Sequence, residues 1–296
     1  MEFQLLTDIS WVVNLRTPML TPIFEFFTWL GYRNFLFMFI PFTYWCFDRK
    51  IFGPLVLIVF FSALINAWLK EFFQDPRPDP ILNIDPWLEH STSFGFPSGH
   101  TQIAVVIWLY IAMNVKNSIA KIISIIFLFG IPLSRLYLGV HDVGDILGGI
   151  FFGILTLLAF SFLFKKLKSK EFKLNLIIQF IILVSIFLLF YLSWPSDEGA
   201  FVVSSIGGLV IGYWLGTVMD KKYFSFTKVD NMFLHILSSI IALIGFIILN
   251  EFIENIFDYT DLPILFELTL SSAILGFYIS FLAFYLLSKM KIQSIK

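Results

Sequence analysis

Cysteine and charge are both scarce in this chain, and each scarcity removes a class of protein. The single cysteine, Cys46, leaves no internal disulfide framework and no cysteine-based metal cluster. Charged residues are only 14% of the sequence, against about 25% in ordinary globular domains, which excludes a soluble domain of this size. The amino terminus lacks the basic segment of a cleavable signal peptide, since Glu2 and Asp8 stand where lysine or arginine is needed. No solenoid-type repeat or low-complexity tract appears. What the chain has in quantity is apolar: 58% hydrophobic residues, 38 of them phenylalanine, within 296 residues. They fall in runs near the roughly 17–25 residues that cross a bilayer. The expected fold is therefore all-α, a polytopic transmembrane helical bundle.

The runs place about nine spans, at 33–48, 51–69, 98–115, 119–137, 144–164, 174–193, 200–219, 231–252 and 263–288. The first is short and contains Pro41. Residues 5–31 carry Asp8, Arg16, Glu25, Pro18 and Pro22 among apolar positions, a pattern expected of amphipathic helices lying in the interface. Three regions follow: interfacial helices over 1–32, a membrane core over 33–165, and additional transmembrane helices over 166–296. Fifteen of the 20 basic residues, from Arg49 and Lys50 to Lys289, Lys291 and Lys296, fall in one set of loops. That set is expected to be cytoplasmic, together with the carboxyl terminus. The opposite side holds Arg16, Arg33, Lys70, Arg77 and Arg135, and its later loops are acidic, with Asp197, Glu198, Glu251, Glu254, Asp258 and Asp261.

Three of those five outward cations sit in the polar segments of the chain. The first segment, Lys70-Glu-Phe-Phe-Gln-Asp-Pro-Arg-Pro78, ends one span; Phe94-Gly-Phe-Pro-Ser-Gly-His-Thr101 opens the next; Ser134 to Asp145 bridges the following two. In this topology all three reach the same side. The loop 71–97, rich in proline and aspartate, is a candidate lid or substrate entrance. Arginine presents a planar fork to phosphate oxygens, lysine a point charge, and a Pro-Ser-Gly-His turn adds a hydroxyl and backbone N–H groups at a helix start. Snorkelling accounts for one interfacial cation, but not for three beside two histidines. His141 and Asp145 are four apart, neighbours at a helix start. One imidazole, oriented by a carboxylate, serves as nucleophile and the other as acid, and phosphoryl transfer needs little beyond that and charge neutralisation. The competing reading gives His100, His141 and Asp145 to zinc, which three crowding cations oppose. Two glycine patterns, Gly144–Gly149 with Gly153 and Gly207–Gly212 with Gly216, have the spacing of close helix contacts.

Taken together, Lys70-x6-Arg77-Pro78, Pro97-Ser98-Gly99-His100 and Ser134-Arg135-x5-His141-x3-Asp145 resemble the three-part signature of the type 2 phosphatidic acid phosphatase (PAP2) superfamily, over about residues 30–165. The resemblance implies a metal-independent phosphatase acting through a phosphohistidine, with no cofactor and no metal. It implies His141 as nucleophile, Asp145 as its orienting carboxylate and His100 as proton donor to the leaving group. Lys70, Arg77, Ser98, Gly99 and Arg135 would cradle the phosphoryl group. Ser134 reads equally well as a helix-end hydroxyl, and His90 and His235 match no motif position. Many bacterial lipid phosphatases of the superfamily end near Phe164; this chain continues, and nine spans with an outward site are similar to glucose-6-phosphatase and the sphingosine-1-phosphate phosphatases.

The implied partners are a lipid phosphate and the surrounding lipids, with no nucleic acid, in a bacterial inner membrane or eukaryotic endomembrane. A soluble sugar phosphate as substrate, or a lipid phosphotransferase, would use the same residues. A non-enzymatic lipid transporter or scaffold needs a polar path through the bilayer; intramembrane polar residues such as Asn66 and Gln179 could be invoked for one, but no chain of ionisable residues crosses.

Overall fold

The computed structural model describes residues 4–88, 93–167, 174–197, 199–224, 226–227, 232–290 and 294–295. Glu2, His90, Glu198, Lys291 and Lys296, named above, and Lys168, Lys170, Lys173 and Lys228 of the basic loops lie outside the described residues. In hydrocarbon every backbone N–H and C=O must be bonded within the chain, which leaves an apolar sequence the helix as its economical solution. The chain is accordingly helical almost throughout. In order it forms α1 (Gln4–Thr7), a 3-10 turn (Ser10–Leu15), α2 (Thr21–Trp29), α3 (Arg33–Cys46), α4 (Arg49–Phe73) and α5 (Gly99–Ala104). A π turn over Val105–Leu109 continues α5 into α6 (Tyr110–Asn114), followed by α7 (Ser118–Tyr137), α8 (Val143–Leu167), α9 (Leu176–Ser193) and α10 (Gly199–Met219). Then come α11 (Met232–Phe257), α12 (Ile264–Phe277) and, through a further π turn at Tyr278–Leu282, α13 (Ala283–Lys289). The strands are two residues long, Phe226–Thr227 paired antiparallel with Ser294–Ile295.

Each expected span coincides with a helical stretch, but the count changes. Seven described helices are long and apolar enough to cross a membrane: Arg49–Phe73, Ser118–Tyr137, Val143–Lys166, Leu176–Ser193, Gly199–Lys222, Met232–Phe257 and Ile264–Lys289. The other two are short. α3 has 14 residues, and an α-helix of that length reaches only about 21 Å of a roughly 30 Å hydrocarbon core. The stretch Gly99–Asn114 is little longer. The amino-terminal segment forms three short helical pieces that leave Trp11, Leu15, Met19 and Phe26 exposed while burying Ile9 and Val12.

The chain divides into two compact units, one of Met1–Phe37 with Ile58–Lys173, the other of Met38–Leu57 with Leu174–Lys296. In the first, α5 packs closely on α8 because glycines line the contact. A Cβ at Gly149 would fall 2.8 Å from the Ser98 carbonyl oxygen, and one at Gly153 2.8 Å from Val105 Cβ. In the second unit the same device joins α10 to α12: side chains at Gly208 and Gly212 would collide with the carbonyls of Thr269 and Ala273, and one at Gly276 with that of Leu209. Both glycine patterns thus serve packing. Aromatic donors finish the second core, with Trp45 Nε1 donating to Ile279 O at 2.9 Å and Tyr278 Oη to Ala242 O at 3.0 Å.

Candidate active site

Each of the three polar segments of the first unit is held by local chemistry before it meets the others. Lys70 stands in the last turn of α4, and the chain leaves that helix at Gln74, whose φ of 50° turns it sharply. Lys70 Nζ then donates to the carbonyls of Phe94 and Gly95, tying the first segment to the second. Gly95 N donates back to Asp75 O at 2.7 Å. On the same face of α4, one turn earlier, Asn66 Nδ2 donates to Pro97 O at 3.1 Å and to Gln102 Oε1 at 2.9 Å. Gln102 passes the network on to Ser62. Side-chain amides inside an apolar bundle therefore fix the turn that carries Ser98, Gly99 and His100.

Ser98 is the N-cap of α5, with its Oγ accepting from Thr101 Oγ1 at 3.1 Å and, more loosely, from Thr101 N. Its own N–H donates to Asp145 O at 3.0 Å, which joins the second segment to the third. Gly99 faces Asn66, whose Oδ1 would lie 2.9 Å from a Cβ there. His100 lies over Gly31, where any side chain would collide with its ring. Tyr32 meets that ring edge-on, with centroids 4.6 Å apart. His100 Nε2 is buried and has no hydrogen-bond partner among the described residues.

The third segment is organised by a reciprocal cap. Asp142 Oδ1 accepts from Asp145 N at 2.8 Å while Asp145 Oδ2 accepts from Asp142 N at 3.2 Å, so the start of α8 is closed by two aspartates three apart. The same Asp145 Oδ2 lies 2.7 Å from His141 Nδ1. That fixes the tautomer with the proton on Nδ1 and leaves Nε2 as a lone pair. Arg77 Nη1 is 3.4 Å from this Nε2 and donates to Val140 O at 3.0 Å, while Arg77 Nε donates to Ser93 O at 2.7 Å. Burial first, then Arg77, Arg135 and Lys70, hold the His141 imidazole well below its ordinary range. It is neutral at physiological pH, as a nitrogen nucleophile must be. Burial and Arg135 lower the Arg77 guanidinium to about 10, where it stays cationic.

Arg135, in the last turn of α7, is almost wholly buried and already has an anion. Its Nη1 donates to Asp85 Oδ2 at 2.5 Å and to Thr28 Oγ1, whereas its Nε has no partner among the described residues. Tyr32 Oη also donates to Asp85 Oδ2, at 2.7 Å. Burial above all pushes the Tyr32 phenol up to about 12, so it remains a donor. The loop expected as a lid is, over 79–88, docked: Ile84 N donates to Leu138 O at 3.0 Å and Arg16 Nη2 to Leu82 O at 2.5 Å.

All eight expected site residues therefore belong to one unit. His235, by contrast, is a buried residue of the second unit, and Ser134 Oγ simply bonds Ile131 O at 2.6 Å. The sequence reasoning missed Asp142, Asp85, Thr28, Tyr32 and Gly31. Asp142 was legible as an aspartate three before Asp145 at a helix start; the others carry no local signal. Among the described residues, no group of three or more His, Cys, Asp or Glu side chains is placed to hold a metal ion.

The chain is similar to known proteins. The family model of the PAP2 superfamily matches residues 52–169. Phosphatidylglycerophosphatase B of Bacillus subtilis is 32% identical over 158 residues, covering 48% of this chain and 74% of its own length. Human sphingosine-1-phosphate phosphatase 2 is 26% identical over 211 residues, 65% of this chain and 51% of the relative, so the chain spans about half of that protein. The crystal structure of a transmembrane PAP2-type phosphatidylglycerolphosphate phosphatase from Bacillus subtilis superposes with a TM-score of 0.46 at 29% identity, covering 55% of this chain and 85% of that one. With the three motifs gathered in one unit and a relative matched over most of its length, the chain belongs to the PAP2 superfamily and is a membrane phosphatase of that family.

Proposed function

We propose that the protein hydrolyses a lipid phosphate through a phosphohistidine on His141, at the non-cytoplasmic face of the membrane. The observation that carries this reading is His141 itself, bonded through Nδ1 to Asp145 at 2.7 Å with Nε2 turned toward Arg77. In the first step Nε2 attacks phosphorus, the bond from phosphorus to the leaving oxygen breaks, and His100 gives that alkoxide its proton. Asp145 compensates the positive charge that His141 acquires. In the second step His100 takes a proton from water, whose oxygen displaces His141 from phosphorus and releases inorganic phosphate. Lys70, Arg77, Arg135 and the turn at Ser98 and Gly99 neutralise the equatorial oxygens, where phosphoryl transfer concentrates its charge. The unpartnered, buried Nε2 of His100 and Nε of Arg135 support this assignment, because such groups are costly unless a ligand completes them.

The outward orientation rests on the basic residues gathered in the opposite loops, and nine crossings on counting α3 and the Gly99–Asn114 stretch as short spans. Residues 33–165 form the catalytic core in this reading, with 1–32 at the interface and 166–296 supporting it. The names of the relatives, a phosphatidylglycerophosphatase and a sphingosine-1-phosphate phosphatase, favour a phosphomonoester carried on a lipid. Phosphatidate, phosphatidylglycerophosphate, a sphingoid-base phosphate and an isoprenyl diphosphate are the candidates. The deciding experiment mixes the purified protein with a panel of labelled lipid phosphates and a hexose phosphate, then quenches in alkali. An alkali-stable, acid-labile phosphoprotein is expected with a lipid substrate and is lost in His141→Ala. A phosphoprotein that persists in that variant removes His141 as nucleophile, and preference for the hexose phosphate removes the lipid.

A further inference from the structure

We infer that Asp85, in the loop before the Pro-Ser-Gly-His turn, is a positioning residue that clamps one end of Arg135 so that the other edge of its guanidinium meets the phosphoryl group. The inference rests on the phosphatase reading above and adds to it a residue that none of the three motifs contains. Asp85 is buried, 5% exposed, in a loop that has its own reasons to hold it there. Asn83 Oδ1 accepts from Asp85 N at 2.8 Å, Asn83 Nδ2 donates to Leu88 O at 2.8 Å, and Asp85 Oδ1 accepts from Trp87 N at 3.1 Å. One carboxylate oxygen thus shapes the loop, and the second is left to face inward. That second oxygen, Oδ2, takes Arg135 Nη1 at 2.5 Å and Tyr32 Oη at 2.7 Å, while Thr28 Oγ1 also meets Nη1.

A guanidinium offers two usable edges, and the Nε–Nη2 edge lies away from Nη1. With Nη1 held by Asp85 and Thr28, the rotation of the group is fixed and Nε, buried and unpartnered among the described residues, is the free end. The charge of Arg135 is near enough to act on the His141 ring. Tyr32 links the clamp to the second histidine as well, since its hydroxyl bonds Asp85 while its ring lies edge-on to His100. Asp85 therefore acts through Arg135, and it docks the loop as it does so.

The test is a double-mutant cycle of Asp85→Asn and Arg135→Lys in the full chain in detergent, reading kcat, KM and inhibition by orthovanadate, with melting followed in parallel. Asp85→Asn is expected to lower kcat about 10- to 100-fold, the cost of misplacing one catalytic contact, and to weaken orthovanadate similarly with little change in KM. In the Arg135→Lys background the same change is expected to add less than about 3-fold, because the group it positions is already gone. Tyr32→Phe and Thr28→Val, which each remove one bond of the clamp and keep its shape, are expected to lower kcat several-fold. They carry the test if Asp85→Asn does not fold. Wild-type kcat and orthovanadate inhibition in Asp85→Asn, or in both milder variants, overturn the inference, as does full multiplication of the two effects in the cycle. An Arg135→Lys enzyme with unchanged kcat overturns instead the assignment of Arg135 to the phosphoryl group.

Discussion

The two units of this protein differ in how their buried polar groups are bonded. In the second unit the buried hydroxyls bond their own helices: Ser238 and Ser239 both donate to His235 O, and Ser280 to Gly276 O. Donors that cross between helices there end mostly on main-chain carbonyls, as with Trp45, Tyr213 and Tyr278, and side-chain pairs such as Trp214 with Gln179 and Arg49 with Asp220 are only partly buried. In the first unit buried side chains bond other side chains across elements, Asn66 to Gln102, Arg135 to Asp85 and Thr28, His141 to Asp145. A bond within one helix removes a desolvation penalty and constrains nothing else. A bond between side chains of different elements sets their mutual geometry, and fails expensively if one member is removed. The first unit is built to hold side chains in register, the second to hold helices together.

The largest expected effect breaks the first unit's chemistry. His141→Ala is expected to lower phosphate release from a lipid phosphate by at least about 10³-fold in the folded fraction, as loss of a covalent nucleophile does. Because burial and three cations depress the His141 imidazole, the loss of kcat/KM that follows its protonation is expected only below pH 6.5, the ordinary histidine value. A His141 imidazole seen by NMR to titrate at or above 6.5 would overturn this. Next is His100→Asn, expected to cost about 10²- to 10⁴-fold with a lipid alkoxide leaving group, the usual range for a general acid. The deficit should shrink sharply with an aryl phosphate, whose phenolate leaves without a proton. An equal deficit for both substrates would deny His100 the acid's role.

Glycine gives the cleanest contrast between the units. Gly149→Val puts a side chain against the Ser98 carbonyl and Thr101, and is expected to lower kcat at least about 10-fold by moving the turn that carries His100. Gly212→Val puts one against the Ala273 carbonyl, in the second unit. Overpacking of that kind costs about 1–3 kcal/mol, and is expected to lower the melting temperature while the folded fraction keeps its kcat. If kcat falls as far in Gly212→Val as in Gly149→Val, the division of labour between the units is wrong.

How much of this the sequence disclosed follows from how far each interaction reaches along the chain. Helix positions were legible because hydrophobic runs and breakers are local, and the observed ends fall within a few residues of the expected ones, as at Ser118–Tyr137. The number of helices that meet the length of a full span was not, because α3 and the Gly99–Asn114 stretch match the apolar pattern yet are too short. His141 and Asp145 were legible as a pair because four residues on a helix start make them neighbours. Asp85 and Arg135 are 50 apart, and Thr28 and Arg135 are 107 apart, so their bonds exist only in the folded chain. Lys70 and Arg77 were found as cations, yet their ties to the Phe94, Gly95, Ser93 and Val140 carbonyls depend on the loop's folded path.

The smallest effect is expected from the second unit's own ion pair, and it sharpens the contrast most directly. Arg49 Nη1 meets Asp220 Oδ2 at 3.2 Å with side-chain exposures of 27% and 17%, whereas Arg135 and Asp85 meet at 2.5 Å with exposures of 1% and 0%. Partial exposure lets water take over when one partner is lost, so Asp220→Asn is expected to cost about 1 kcal/mol or less. Full burial denies that relief, and Asp85→Asn is expected to cost about 3–5 kcal/mol because a guanidinium is left in the interior without its anion. Denaturation of the two variants in the same detergent measures the difference. Comparable losses would mean that burial does not set the worth of these pairs; a large loss for Asp85→Asn alone would show that the first unit spends stability to keep an arginine in place for chemistry.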